Sequence, residues 1–546
     1  MLMRETTTPP PPIDRQRYSK ITRFFGGVIL HLILWDIVLR RVASHWVIHS
    51  RPRRWRQISH RFRLLAVEMG GVLIKLGQFL SSRVDVLPPE ITDELQGLQD
   101  EVTSAPPEAI QVVLLQELGD LSRRFAEIEP EPLAAASLGQ TYRARLFAPD
   151  GTLGDRVVIK VQRPAIDQIV RTDLEALRVV AKWAMRYGPI RRRADVPALL
   201  DEFARTLWEE LDYEAEADNA ERFQRMFAHN PGVSIPHIYR EHTTGKVLVL
   251  ENVENIKLTD LPALEAVGID SKAVAERLLD VYFYQIFKEG FFHADPHPGN
   301  LFVKPLPRPD PEETLLPTPF QLVFIDFGMV GHVETLMGEN LRKVLISVSQ
   351  KDARGLMEAC QDLGFFLPTA DLERITQAMA RLLDQLWGRN LLDLAQPNPR
   401  EIAEFGQEFR DLLFDFPIQI PQDFIYLGRA MGILSGMSSL LDPTINPWHQ
   451  IEKFAQEFIS QRQAQQLGWE LARQWLQLFI SLPAQVERVL TATERGRLQV
   501  QFAPNKELDQ RLERLEKKVG WLNLSVIASA GLLSATLLYL SRQKKA

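Results

Sequence analysis

The chain has 546 residues, too long for one ordinary domain. At 45% hydrophobic and 25% charged it is globular in composition, which argues against a disordered, fibrous or polytopic membrane chain. With 64 basic against 70 acidic residues it does not carry the charge of a nucleic-acid binder, and its one cysteine, Cys360, leaves no internal disulfide or multi-cysteine zinc site. A reducing compartment such as cytoplasm or stroma fits that cysteine usage.

Residues 1–59 form a membrane-proximal basic and apolar segment. The opening, with its proline run and many charges, does not read as a secretory signal peptide. Phe24 to Leu39 is apolar but short, and Asp36 interrupts it. Eight arginines follow between Arg40 and Arg63. Such a stretch fits a helix in a membrane interface or one packed on the protein, and both readings stand. The arginines suit anionic lipid head groups. No RNA-binding module accompanies them, so no nucleic acid is expected as a partner.

Residues 60–128 read as a helical extension, with helical apolar spacing in LLAVEMGGVLIKLGQFLSS and a restart after a proline pair. Residues 129–255 are read as a first lobe: over 131–163 SLGQTYRARLF alternates, DGTLGDR is a turn and VVIKVQ is a β-branched run, 165–228 return to helix, and KVLVLENV is a further strand. Residues 256–500 are mostly helical but carry FFHADPHPGNLFV, a proline-rich loop from Lys304 to Pro319, and FQLVFIDFGMVG. Residues 501–518 read as a helical stalk. Residues 519–540 hold 22 uncharged residues, enough as a helix to span about 33 Å, and are expected to be a transmembrane anchor. Its AGLLSA run suits helix–helix contact in lipid, with a homodimer one arrangement compatible with it. Together the elements describe a two-lobed α+β domain.

The chemistry gathers in three places. Asp295 and Asn300 stand five apart in H-A-D-P-H-P-G-N, and Asp326 ends a hydrophobic strand in I-D-F-G. A loop Asp can accept a hydroxyl proton, and an Asn with a strand-end Asp supplies the hard oxygens that Mg²⁺ prefers. Lys160, on the VVIK strand, is placed to reach phosphates and to pair with a helix glutamate. The candidate acids are Glu210, Asp212 and Glu216 in EELDYEAEAD, where Glu209, Asp212 and Glu216 are expected to share one helix face by their i, i+3, i+7 spacing. His293 and His297 have metal-pair spacing, but Pro296 and Pro298 break any helix there, so a structural role is expected, with His293 orienting the loop around Asp295. Where a glycine-rich phosphate loop would stand, the chain has Ala134, Ala135, Ala136 and Ser137.

These residues, with K-L-G-Q at Lys75 to Gln78 and E-L-D at Glu210 to Asp212, resemble the UbiB / aarF-domain (ADCK-type) atypical protein-kinase-like family, over about residues 60 to 440. The resemblance implies a kinase-like fold with an N-terminal helical extension and an alanine-rich nucleotide loop at Ala134 to Ser137. It implies Lys75 and Gln78 pointing into the site and Glu210 and Asp212 helping to hold the extension. Asp295 would be the catalytic base or its equivalent, with Mg²⁺ on Asn300 and Asp326 and ATP or ADP as the nucleotide. It further implies ATPase or phosphotransfer activity in isoprenoid-quinone biosynthesis. The expected partners are then a membrane lipid or prenylquinone intermediate and the enzymes of that pathway. A nucleotide-binding scaffold for a biosynthetic complex is the alternative. The opening PPP-x-DRxRYS with TRFF resembles the cyanobacterial and plastid branch, which implies plastoquinone or tocopherol rather than ubiquinone.

Overall fold

The computed structural model describes residues 11–81, 87–96, 98, 104–148, 150–191, 195–308, 317–367, 370–390, 393, 398–409, 412, 421 and 423–460. The expected stalk and transmembrane anchor lie outside the described residues. The fold, core and site all belong to the first of two units, Met1–Ile459.

The chain opens with α1 (Arg15–Ile33), capped by the Asp14 carboxylate on the amides of Gln16 and Arg17 and continued by a π-helical turn at Leu34–Leu39. Among the described residues, Arg15–Leu39 is the one helix long and apolar enough to cross a membrane. Ile21 and Leu32 are buried in it, whereas Leu30, Leu34 and Val38 are exposed. Both readings of this segment thus find support: one side packs against the protein and another faces outward. Next come α2 (Ser44–Met69) and α3 (Val72–Ser81). Between them Gly70 and Gly71 have φ of 61° and 62°, a left-handed joint that side chains rarely tolerate. Arg17 clamps this joint. Its guanidinium donates to the carbonyls of Met69 at 2.6 Å and Gly70 at 3.1 Å, and pairs with both oxygens of Asp173 at 2.6 Å. α4 (Pro89–Gln96) and α5 (Pro107–Leu118) complete the extension.

β1 (Phe125–Ile128), β2 (Ala134–Ala135), β3 (Gly139–Phe147) and β4 (Leu153–Gln162) follow, then α6 (Ile166–Ala184), α7 (Val196–Glu210) and α8 (Tyr213–Phe227). The short β5 (Val233–Ser234) precedes β6 (Val247–Glu251). β6 joins the first sheet in the order β1-β3-β4-β6, with β2 paired to β3 and every pairing antiparallel. The expected hairpin is β3 with β4. In β4 the alternation is plain: Val157, Ile159 and Val161 are fully buried and form a core with Ile110 and Leu114 of α5. Lys160 therefore faces the other side of the sheet.

β7 (Ile256–Lys257), α9 (Ser271–Phe283), β8 (Phe291–His293), β9 (Leu301–Pro305), β10 (Phe320–Phe324) and β11 (Val330–His332) build the second lobe. One sheet runs β5-β10-β9-β7, and β8 pairs with β11 separately. Helices α10 (Thr335–Ser349), α11 (Ala353–Asp362), α12 (Leu372–Leu386), α13 (Pro399–Glu408) and α14 (Asp423–Leu441) follow. In α14, Leu427, Ala430, Leu434, Met437 and Leu441 are buried at alternating three- and four-residue spacing. That stripe joins the same core as α9 and turns Arg429 outward.

Candidate functional site

Lys160 stands opposite Thr141 on β3 and Leu248 on β6. Its ammonium donates to both carboxylate oxygens of Glu216 at 2.8 Å and lies 3.5 Å from Asp326 Oδ2. The Tyr213 ring lies 5.2 Å from it. Of the candidate acids, Glu216 is thus the lysine's partner. It can reach because the acidic segment is two helices, not one. Asp212 caps α8 by accepting from the Ala215 amide at 3.0 Å, which sets Glu216 in the first turn. Glu209, Asp212 and Glu216 share no single helix face as a result.

Burial shapes the charges here. It pushes the Glu216 carboxyl up to about 7 even though Lys160 pulls it down. Burial opposes the charge on Lys160, but Asp326 and Glu216 outweigh it and hold the ammonium well above its usual range. For Asp326 the cost of partial desolvation is outweighed by Lys160, His293 and Lys75, and its carboxyl sits below the usual range. Asp326 is therefore ionised and, with its side chain 44% exposed, accessible. Its backbone has φ of 61°, rare for a residue with a side chain and a mark of local strain.

The second lobe fixes this conformation from several sides. His293, fully buried, has its Nε2 2.7 Å from the Asp326 carbonyl and 3.2 Å from that of Ile325. Its amide donates to Gln285 at 2.9 Å. His293, expected to orient the loop around Asp295, makes its side-chain contacts with the backbone at Ile325 and Asp326. His297 is structural too, accepting at Nδ1 from Gly299. Asn219 of α8 donates to the Phe327 carbonyl at 3.0 Å, a support the sequence did not single out.

Asp295 and Asn300 are tied together and to the strand end. The Asn300 side-chain amide donates to the Asp295 carbonyl at 3.2 Å, and the Ile325 amide donates to the Asn300 carbonyl at 3.0 Å. The Asn300 side-chain nitrogen is occupied by this bond, and its side-chain oxygen remains an acceptor. An ionised carboxylate and an amide oxygen are the hard donors that suit Mg²⁺, so these residues fit that ion. Arg429 of α14 donates to Asp295 Oδ1 at 2.9 Å. No motif pointed to Arg429; only the apolar stripe of α14 could have shown that it would be turned outward.

Lys75 pairs with Glu210 Oε1 at 2.5 Å, tying α3 to the end of α7. The charge of Lys75 also contributes to lowering the Asp326 carboxyl. Gln78 is half-buried one turn along the same helix. Ala134 and Ala135 form β2, opposite Thr141 and Gln140. The Ala136 amide donates to the Gly139 carbonyl at 2.9 Å, and Ser137 is buried with its hydroxyl unpartnered among the described residues. Since Thr141 also opposes Lys160, this alanine turn leads into the strand beside the lysine.

Residues 97–360 match the family described as ABC1 atypical kinase-like domain. "Protein ACTIVITY OF BC1 COMPLEX KINASE 7, chloroplastic" of Arabidopsis thaliana is 34% identical over 485 residues, which cover 85% of this chain and 66% of that protein's own length. "Uncharacterized protein sll1770" of Synechocystis is 31% identical over 528 residues, covering 93% of this chain and 86% of that one. "Probable protein kinase UbiB" of Pseudomonas paraeruginosa is 31% identical over 439 residues, covering 79% and 78%. The chain has a kinase-like fold of mixed helix and sheet, and it belongs to the ABC1/UbiB atypical kinase family.

Proposed function

We propose that this protein is a membrane-associated ATPase or phosphotransferase that binds Mg-ATP and serves isoprenoid-quinone biosynthesis or lipid handling. The observation that carries the reading is the meeting of Lys160, Glu216 and Asp326 within 3.5 Å, next to the loop that ties Asn300 to Asp295. A bound Mg²⁺ would supply positive charge to offset the charge that moves with the phosphoryl group. Asn300 and Asp326 would hold it. Lys160, fixed by Glu216, meets the phosphate oxygens. Asp295 takes the proton of a hydroxyl or water at its carboxylate, and Arg429 keeps that carboxylate in place. Ala134 to Ser137 would cover the nucleotide, while Lys75 and Gln78 restrict the space beside it.

The membrane part rests on the exposed apolar residues of Arg15–Leu39 and on the arginines after it. The quinone part rests on the relatives named UbiB, and the chloroplastic and cyanobacterial relatives favour a plastoquinone- or tocopherol-type pathway. The domain would then sit at a membrane facing cytoplasm or stroma. The test is Mg²⁺-dependent ATP hydrolysis by the full chain, alone and with vesicles or a prenylated phenol. Turnover abolished by Asp326→Asn supports the enzyme; bound nucleotide without turnover under all conditions replaces it with the scaffold.

A further inference from the structure

A cavity of about 1070 Å³ lies inside the N-terminal helical layer and shares none of its lining with the Lys160–Asp326 site. Helices α1, α2, α3, α4, α6 and α7 contribute to its wall, through residues such as Phe25, Ile58, Phe79, Ile91, Ala184 and Leu200. Protein interiors hold few voids larger than a water molecule, and pockets for small molecules run from roughly 300 to 1,000 Å³. A space this large and this apolar is not a packing defect. An apolar cavity does not hold ordered water well, so an apolar ligand suits it.

Its charged lining is sparse: Asp36, Arg51 and Glu90. Asp36 already accepts from the Tyr187 hydroxyl at 3.0 Å. Arg51 is exposed and has no acidic partner among the described residues. It belongs to the run of eight arginines, and no acidic residue occurs between Asp36 and Glu68. The same helical layer exposes Leu34, Val38, Trp46 and Ile48. An apolar edge beside an acid-free basic run is the surface that an anionic bilayer attracts.

We propose that this cavity binds the hydrocarbon chain of an amphipathic lipid, with an anionic head group held at Arg51. The inference deepens the lipid-directed function proposed above and rests on it, naming the class of ligand and the place where it sits. The location suggests how occupancy reaches the nucleotide. Leu76, Phe79 and Leu80 of α3 line the cavity, and the adjoining face of that helix carries Lys75 and Gln78.

The test is equilibrium dialysis of the full chain, without nucleotide, against labelled geranylgeranyl phosphate and against oleoyl lysophosphatidate. One saturable equivalent of either is expected, and the tighter of the two identifies an isoprenoid or an acyl chain. Ala184→Trp and Leu200→Trp, which place bulk in the cavity from two different helices, each weaken binding about tenfold or more. Arg51→Glu, and replacement of the ligand by uncharged geranylgeraniol, each weaken it by about threefold or more. Thermal unfolding, measured separately, reports that the variants are folded. Absence of saturable binding to the wild-type chain overturns the proposal, as does undiminished binding by the folded filling variants. Neither result touches the ATP site, and a chain that binds lipid but not ATP overturns the nucleotide reading instead.

Discussion

Arg429 and Asp295, 134 residues apart in sequence, meet at 2.9 Å. The pair joins α14 to the loop that carries the proposed base. Arg429 is 41% exposed and Asp295 25%, so the contact contributes more to orientation than to stability. Arg429→Ala is expected to lower kcat about tenfold while leaving the KM for ATP and the melting temperature nearly unchanged. Arg429→Lys should recover part of the loss. Steady-state kinetics of the two variants check this, and an unchanged kcat in Arg429→Ala contradicts it.

Glu216 gives the ligand-free protein a pH signature. Its carboxyl rises from 4.5 to about 7 on folding, chiefly through burial. Between those values the folded state keeps a proton that the unfolded chain has released. Stability from this group is therefore complete below the unfolded value and is lost as pH rises through about 7. The size is on the order of 3 kcal/mol at most. Melting curves of wild type and Glu216→Gln between about pH 5 and pH 8 should show the wild type losing its advantage as pH rises. Parallel curves contradict the assignment.

Lys75 and Glu210 fasten the extension to α7 at 2.5 Å, with side chains 26% and 20% exposed. A double-mutant cycle with Lys75→Ala and Glu210→Ala should show coupling of about 1 kcal/mol in stability, because each single change already breaks the pair. Additive losses would mean that the two side chains act separately.

Gly139 has a steric reason to be glycine. A β-carbon there would lie 2.5 Å from the Tyr213 hydroxyl and 2.8 Å from the Val161 carbonyl. Tyr213 also packs beside Lys160. Gly139→Ala should cost about 1–3 kcal/mol and weaken ATP binding together with it. Thermal unfolding and nucleotide titration check both effects; a variant as stable as the wild type contradicts the packing argument.

The site was legible in sequence where chemistry sits in short motifs. Lys160, Asp295, Asn300 and Asp326 each follow from a strand or a proline-broken loop that local pattern reveals. The β3–β4 hairpin was legible for the same reason, since alternation over nine or ten residues is a strong signal. What pattern could not give was the choice among acids. Glu210 and Glu216 lie six positions apart, and which one meets Lys160 depends on Asp212 starting a new helix between them. Arg429 and Asn219 were hidden because each reaches its partner over more than a hundred residues. The cavity was hidden for a related reason: helices from Arg15 to Glu210 must assemble before it exists.

The most direct test of the central claim is ATP hydrolysis by the purified full-length chain with Mg²⁺, measured with and without anionic vesicles, beside Asp326→Asn. The account predicts Mg²⁺-dependent turnover that rises with vesicles and disappears in the variant. Turnover that survives Asp326→Asn, or nucleotide binding with no turnover under any of these conditions, would contradict it.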